Sequence, residues 1–216
     1  SLPGLTLTNN EIKKFDDVMV TAEKAIRHFM AGEPLGVSVT EIEHPDVLLW
    51  TVWCLQQYAD TQGVEACMQK YGGLVGDIMR WLMDGKHPNL EIRPNGLVYS
   101  EGRDRAVTWM NSTDQGGKPI VPRTGYIVEF NALWYNARLF GKSDDVAFVQ
   151  NLEKAARACA ENFAPMFYNE HGYLCDYCVD GYRCYDVRPN MILAVAFDYS
   201  PLDKGQCKSV LDCCTK

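Results

Sequence analysis

Residues 46–58 read DVLLWTVWCLQQY, and their reading decides the fold. Apolar side chains fall on nearly every face of the helix this run would form, as in a helix enclosed by protein on both sides. Two further runs share the pattern, 126–140 (YIVEFNALWYNARLF) and 190–198 (NMILAVAFD). The segments between them differ. In 11–30, Ile12, Phe15, Val18, Met19, Ala22, Ile26 and Phe29 recur at three and four with charges opposite; Asn10 suits a cap and Gly32 a stop. Segments 64–84, 144–163 and 203–214 are amphipathic in the same way, the second capped by Ser143 and the third started by Asp203. Gly72, Gly73 and Gly76 weaken the middle of 64–84.

Amphipathic and all-round apolar helices therefore alternate through seven segments. Two concentric layers produce that alternation, since inner helices touch both the outer ring and one another. The expected fold class is all-α, of the helical-hairpin (α/α)6-toroid type and incomplete, in a single partial domain spanning 1–216. Short strand patterns occur only near 96–99 and 172–178. Connections out of apolar helices are short (59–63, 141–143, 199–202), whereas those into them are long (31–45, 85–125, 164–189). With antiparallel neighbours, all the long loops gather on one rim, at the N-terminal ends of the inner helices. Structured loops on a rigid scaffold are where function usually sits. A helical solenoid is the alternative, and the absence of a fixed repeat weighs against it.

Composition narrows the function. The 216 residues carry 21 Lys and Arg against 28 Asp and Glu, a formal charge of −7, which argues against a nucleic-acid partner and against docking on anionic membrane. No run approaches the ~18–20 apolar residues of a membrane span, and the N-terminus has no signal-peptide pattern. The expected location is cytoplasmic, with periplasmic as the alternative. Nine cysteines, an odd number scattered through helical pattern, suit a reduced protein. His171, Cys175, Cys178 and Cys184 could be written as a zinc site. They read better as a turn-rich hairpin, HGYLCDYCVDGYRC, so no metal ligands are assigned.

Segment 85–125 holds most of the unusual residues. Tyr99, Trp109 and Tyr126 accompany Glu101, Asp104, Asn111, Asp114 and Arg123, and the loop runs into Glu129, Asn131, Trp134 and Tyr135. Aromatic faces among hydrogen-bonding groups suit sugars, although each aromatic taken singly is more often core; Trp134 stands at helical spacing from Phe130. Glu129 lies in the first turn of an apolar helix, where the helix N-terminus offsets part of the cost of burying a carboxylate. It reads equally as a structural partner for Arg123 and as an acceptor for a sugar hydroxyl.

At this loop a family resemblance becomes visible. VTWMNSTDQGGKPIVPRTGYIVEFNALWYNARLFG (107–141) closely resembles the C-terminal glucosidase domain of glycogen debranching enzymes, which reads Thr-Trp-Met-Asp, then Thr-Pro-Arg, then Val-Glu-Ile-Asn-Ala-Leu-Trp-Tyr-Asn-Ala. SLPGL (1–5) resembles the tail of that family's first motif, PDVLLW (45–50) its Asp-Ala-x-Leu-Trp motif, and DVRPNMILAVAF (186–197) its Arg-Pro-Asn-Gln-Ile-x-Ala-Val motif. The resemblance implies a toroid of six helical hairpins and hydrolysis of α-1,6-linked glucose in branched α-glucans, with inversion and without metal or cofactor. It marks Asp46, Trp109, Arg123, Glu129, Asn131, Trp134, Tyr135, Arg188 and Asn190 as substrate-binding positions.

Two departures temper it. Inversion needs a carboxylic acid to protonate the leaving oxygen and a carboxylate ~6.5–9.5 Å away to activate water. The family's acid position is Asn111, whose amide has no proton of the required acidity to give. Asp114, three residues on, is the candidate stand-in. The family's base lies beyond the point where this chain stops, and Ser1 suggests processing or a piece of something longer. The expectation is thus a segment of a debranching-type α-1,6-glucosidase that binds a branched α-glucan or oligosaccharide and is inactive alone. A non-catalytic glucan-binding module and a ligand-free helical scaffold stand as alternatives. An incomplete toroid would expose apolar flanks, so self-association or a partner supplying the remaining helices is expected.

Overall fold

The computed structural model describes residues 2–34, 42–108, 111–140 and 145–215. Its α-helices are α1 (Leu2–Thr6), α2 (Ile12–Ala31), α3 (Val47–Gln62), α4 (Val64–Met83), α5 (Val128–Phe140), α6 (Val146–Phe167), α7 (Leu193–Ala196) and α8 (Lys204–Cys214). The mostly α-helical class is as expected, with two small antiparallel sheets added. One pairs β1 (Glu91–Ile92) with β2 (Val98–Tyr99); the other orders β3 (Tyr126–Ile127), β4 (Tyr177–Val179) and β5 (Tyr182–Arg183).

The two long apolar runs form the buried layer. In α3, Leu48, Leu49, Val52 and Leu55 are inaccessible to solvent, and α5 is buried along almost its whole length. Helix α3 packs on α4 and α5 on α6, while α3 and α5 also touch each other. Two hairpins thus stand side by side with their apolar helices in contact. Amphipathic α2 buries only one face, through Phe15, Met19, Ala25 and Ile26, and Val18, expected on that face, is exposed at its edge. A polar bridge crosses the inner layer. Asn136 Nδ2 donates to Gln56 Oε1 at 2.6 Å, and Gln56 Nε2 donates to Asp198 Oδ2 at 2.7 Å, tying α3, α5 and the residues after α7.

Local chemistry explains the element ends. Gly32, at φ 70°, ends α2 in the left-handed region that glycine enters freely. Asn10 does not cap α2: at φ 58° it closes the turn of 3₁₀ helix Leu7–Asn9 instead, and Glu11 precedes the helix. The break expected at 61–63 shrinks to Gly63, and α4 runs unbroken through its three glycines. Asp145 accepts from Phe148 N and starts α6; Ser143 lies outside the described residues. Asp203 and Gln206 form a capping box on α8.

Two boundaries differ more. Residues 126–127 are strand because Ile127 and Tyr126 pair with Tyr177 and Cys178. In 190–198 a 3₁₀ turn from Pro189 to Ile192 precedes the single turn α7, and Phe197 leaves into extended backbone. A five-residue α1 before Leu7 adds a helix that the periodicity does not show. The cysteine-rich segment forms the β4–β5 hairpin. Asp180 and Gly181, both at positive φ, make its two-residue turn, as a type I′ hairpin requires.

Candidate functional site

Two chain segments that enter apolar helices meet through side chains, Glu129 in the first turn of α5 and Asn190 ahead of α7, while Asp46 before α3 bonds Thr108 and Trp50. The centre is Arg123, which is 2% exposed. Its guanidinium grips Glu129 through two bonds, Nη1 to Oε1 and Nη2 to Oε2, the latter at 2.6 Å. It grips Asp176 from Nε to Oδ2 at 2.9 Å and from Nη2 to Oδ1 at 2.7 Å. Both carboxylates are fully enclosed. Burial opposes the Arg123 charge, but Glu129 and then Asp176 outweigh it and hold the guanidinium protonated. At Asp176 burial dominates and raises the carboxyl against the pull of Arg123.

Around this centre, Asn190 Nδ2 donates to Glu129 Oε1 at 3.2 Å. Arg188 Nε lies 3.3 Å from Asp176 Oδ2, within ion-pair reach but not aligned as a hydrogen bond, so this buried atom lacks a hydrogen-bond partner among the described residues. Asp46 lies near enough to Glu129 to feel its charge. It is 1% exposed, its Oδ2 accepts from Thr108 Oγ1 at 2.8 Å and from Trp50 Nε1 at 3.3 Å, and its Oδ1 is buried without a partner among the described residues. Burial, helped by the Glu129 charge, pushes the Asp46 carboxyl up to about 6. Asn111 N donates to Thr108 O at 3.0 Å, which attaches Asn111 to the Asp46 contact; Asn111 Nδ2 is also buried and, among the described residues, unpartnered.

The remaining expected residues divide. Asn131 spends its amide on the loop backbone, accepting from Val98 N at 2.7 Å and donating to Val98 O at 3.0 Å and Ile127 O at 2.9 Å. Trp134 Nε1 donates to Gly96 O at 3.1 Å. Both are fully buried, and they pin the β1–β2 connection to α5. Tyr135 is half-buried with its ring 5.7 Å from the Arg138 guanidinium, away from the rim cluster. Asp114 is exposed, and its Oδ1 accepts from Gly116 N and Lys118 N in a local turn, so that oxygen is committed there. Trp109 lies outside the described residues.

Three contributors escape sequence reasoning: Asp176, Thr108 and Trp50. Asp176 sits between Cys175 and Tyr177, where the thiols draw the eye; the signal was an acidic residue within an otherwise apolar stretch. Cys175, Cys178 and Cys184 are buried under the hairpin, whereas His171 is exposed and stacks on Tyr173. Among the described residues no set of three His, Cys, Asp or Glu side chains is arranged to hold a metal ion. A solvent-open groove lined by α2 residues and Glu33 shares no side chain with the rim cluster.

Chemically, these residues present a carboxyl oxygen of Asp46, the Asn111 amide nitrogen and the Arg188 Nε, each buried and without a hydrogen-bond partner among the described residues, the last within ion-pair reach of Asp176. Such groups cost about 1–3 kcal/mol apiece until a ligand or water meets them. No helix among the described residues is long and apolar enough to cross a membrane. No curated protein and no solved structure matches the chain. A family model described as amylo-alpha-1,6-glucosidase matches residues 1–216.

Proposed function

The chain belongs to the amylo-alpha-1,6-glucosidase family, and from that membership we propose that it is a glucan-facing segment of a glycogen-debranching-type α-1,6-glucosidase. Its helical hairpins form part of an (α/α) toroid, and the branched α-glucan enters at the rim where Asp46, Asn111, Arg188 and Asn190 gather. The observation that carries this reading is the set of buried polar atoms with no hydrogen-bond partner among the described residues, Asp46 Oδ1, Asn111 Nδ2 and Arg188 Nε, the last within ion-pair reach of Asp176. Trp50, half-buried and donating to Asp46, supplies an aromatic face beside them. Arg123, Glu129 and Asp176 hold the rim segments in register rather than touching sugar, because their charges satisfy one another. Nine dispersed thiols suit a reducing compartment.

Inverting hydrolysis needs an acid at the leaving oxygen and a base on the water. Asn111 cannot be the acid, Asp114 Oδ1 is spent on its own turn, and Glu129 is held by Arg123. Binding without turnover is therefore the activity assigned to this chain alone. The test pairs calorimetric titration with a branched maltooligosaccharide and a glucose-release assay on limit dextrin. Binding that Asp46→Ala abolishes, with no glucose released, is expected; clear turnover by the purified chain overturns the assignment. Asn111 favours a second reading, a glucan-binding module that has lost its acid. Restoring Asp at position 111 in the longest parent chain separates the two. Recovered hydrolysis indicates an enzyme crippled at one residue, and unchanged binding without hydrolysis indicates a module.

A further inference from the structure

Glu129, Arg123, Asp176 and Arg188 form a chain of alternating carboxylates and guanidiniums. Three of these four side chains are closed to solvent, Glu129 and Asp176 completely and Arg123 nearly so. Arg188 ends the chain and differs. Its side chain is 32% exposed, while its Nε is enclosed and turned to Asp176 Oδ2 at 3.3 Å. Of the four it is the member that a ligand can reach.

Asp176 cannot move to follow that arginine. Its N–H donates to Cys184 O at 2.9 Å and its carbonyl accepts from Val128 N at 3.1 Å, which fixes its backbone between the β4–β5 hairpin and the start of α5. Its carboxylate is clamped by Arg123 at both oxygens. Oδ2 accepts only one of those bonds and keeps a lone pair for a second cation. Arg188 also starts from a fixed point, because Pro189 follows it and confines it to extended backbone, at φ −125° and ψ 147°. The arginine is thus held at its backbone and again at Nε. Asp176 is its one ion-pair partner among the described residues.

We propose that Asp176 is a positioning residue: without touching sugar, its carboxylate orients the Arg188 guanidinium before the glucan arrives. A long side chain that is already held gives up less freedom on binding than a loose one. Arg123 serves Asp176 in turn, since it anchors the carboxylate that anchors Arg188. The inference rests on the glucan reading above and adds a residue outside the positions that the resemblance nominates.

Asp176→Asn tests it. The amide keeps the shape and a carbonyl for Arg123, which stays paired with Glu129, but it withdraws the charge from Arg188. Calorimetric titration with a branched maltooligosaccharide is run on the full chain, Asp176→Asn, Arg188→Gln and the double variant. Asp176→Asn should weaken binding about 3–10-fold when Arg188 is present and less than about twofold when it is Gln. Equal losses in the two backgrounds, or no loss in the first, overturn the proposal while leaving glucan binding in place. A second measurement needs no sugar: arginines are labelled with phenylglyoxal and located by mass spectrometry. Asp176→Asn should speed labelling of Arg188 several-fold and leave Arg123 protected. Unchanged labelling of Arg188 overturns the proposal, and so does Arg123 labelling along with it, which marks a general opening of the fold. If Arg188→Gln binds too weakly to measure, the labelling decides. No binding by the unaltered chain removes the glucan reading itself, and the proposal with it.

Discussion

Replacing Arg123 by Met leaves two carboxylates, Glu129 and Asp176, enclosed without their shared counter-ion. The cost can be bounded from the chemistry. Breaking a buried pair by removing one partner typically costs about 3–5 kcal/mol, because the survivor is an uncompensated buried charge. A stranded carboxylate has an escape, which is to take a proton. At pH 7 that costs about 4 kcal/mol for a group with an ordinary carboxylate pKa, and at pH 5 only about 1 kcal/mol, at 1.36 kcal/mol per unit. Asp176 keeps Arg188 at 3.3 Å, so its share is the smaller. The expected loss is therefore ~4–8 kcal/mol at pH 7, shrinking to ~1–3 kcal/mol at pH 5.

The sign follows from linkage. The variant's folded state binds protons that its unfolded state releases between about pH 4 and 7, so its stability rises as pH falls through that range. Urea denaturation followed by circular dichroism at pH 7 and pH 5, on both proteins, measures the two losses; the m-values must agree for the comparison to hold. Since a domain is stable by only about 5–15 kcal/mol, the variant at pH 7 stands near or past its unfolding point. Adding Glu129→Gln and Asp176→Asn removes the stranded charges and should recover much of the loss. A loss under about 1 kcal/mol at pH 7 would refute the reasoning. So would a loss that stays the same at pH 5, since a packing defect does not titrate.

Three other outcomes are expected. Gly125 sits at φ 95° and a Cβ there would lie 2.2 Å from Cys178 O, so Gly125→Ala should destabilise by more than about 2 kcal/mol in urea denaturation, through strain and loss of β3–β4 register. Asp46, with its folded carboxyl near 6 against an ordinary 3.8, binds more protons folded than unfolded. Wild-type stability should thus fall as pH rises from about 4 to 6, by up to roughly 3 kcal/mol, and Asp46→Asn should flatten that slope in a pH series of urea midpoints. Asn136→Ala strands Gln56 Oε1 inside the inner layer, and a loss of about 2–3 kcal/mol by thermal melting is expected; a loss under about 0.5 kcal/mol would mean the bridge is dispensable.

The apolar helices were legible because a run of this length that is apolar on every face suits little besides a helix enclosed by protein, and α3 and α5 lie where the pattern puts them. The same pattern misleads at 190–198. That run is apolar too, but Pro189 starts a 3₁₀ turn and Phe197 turns extended, so one helical turn remains. The strand at 126–127 could not be read, because a two-residue strand shows no alternation and its partner lies far along the chain at Tyr177 and Cys178. Arg123 and Glu129, six residues apart, were visible as a pair in sequence. Asp176, fifty-three residues from Arg123, became their third member only once the hairpin folded back.

The family motifs raise a subtler problem, since they mark polar residues without saying what each one bonds. Asn131 and Asn190 read alike in sequence as candidate sugar ligands. Folding commits both the nitrogen and the oxygen of Asn131, largely to backbone thirty-three residues upstream, whereas Asn190 stands at the rim with a single bond to Glu129. Trp134 and Trp50 divide the same way: one indole holds a backbone carbonyl in the core, the other holds the Asp46 carboxylate. A motif residue whose bonding capacity is filled from within maintains the scaffold. One left buried and unfilled keeps its desolvation cost unrelieved until something outside the chain relieves it. Asp46 and Asn111 are in the second group, with Arg188 between the two because its Nε has only the Asp176 ion pair, and that accounting singles them out from the other positions that the resemblance nominates.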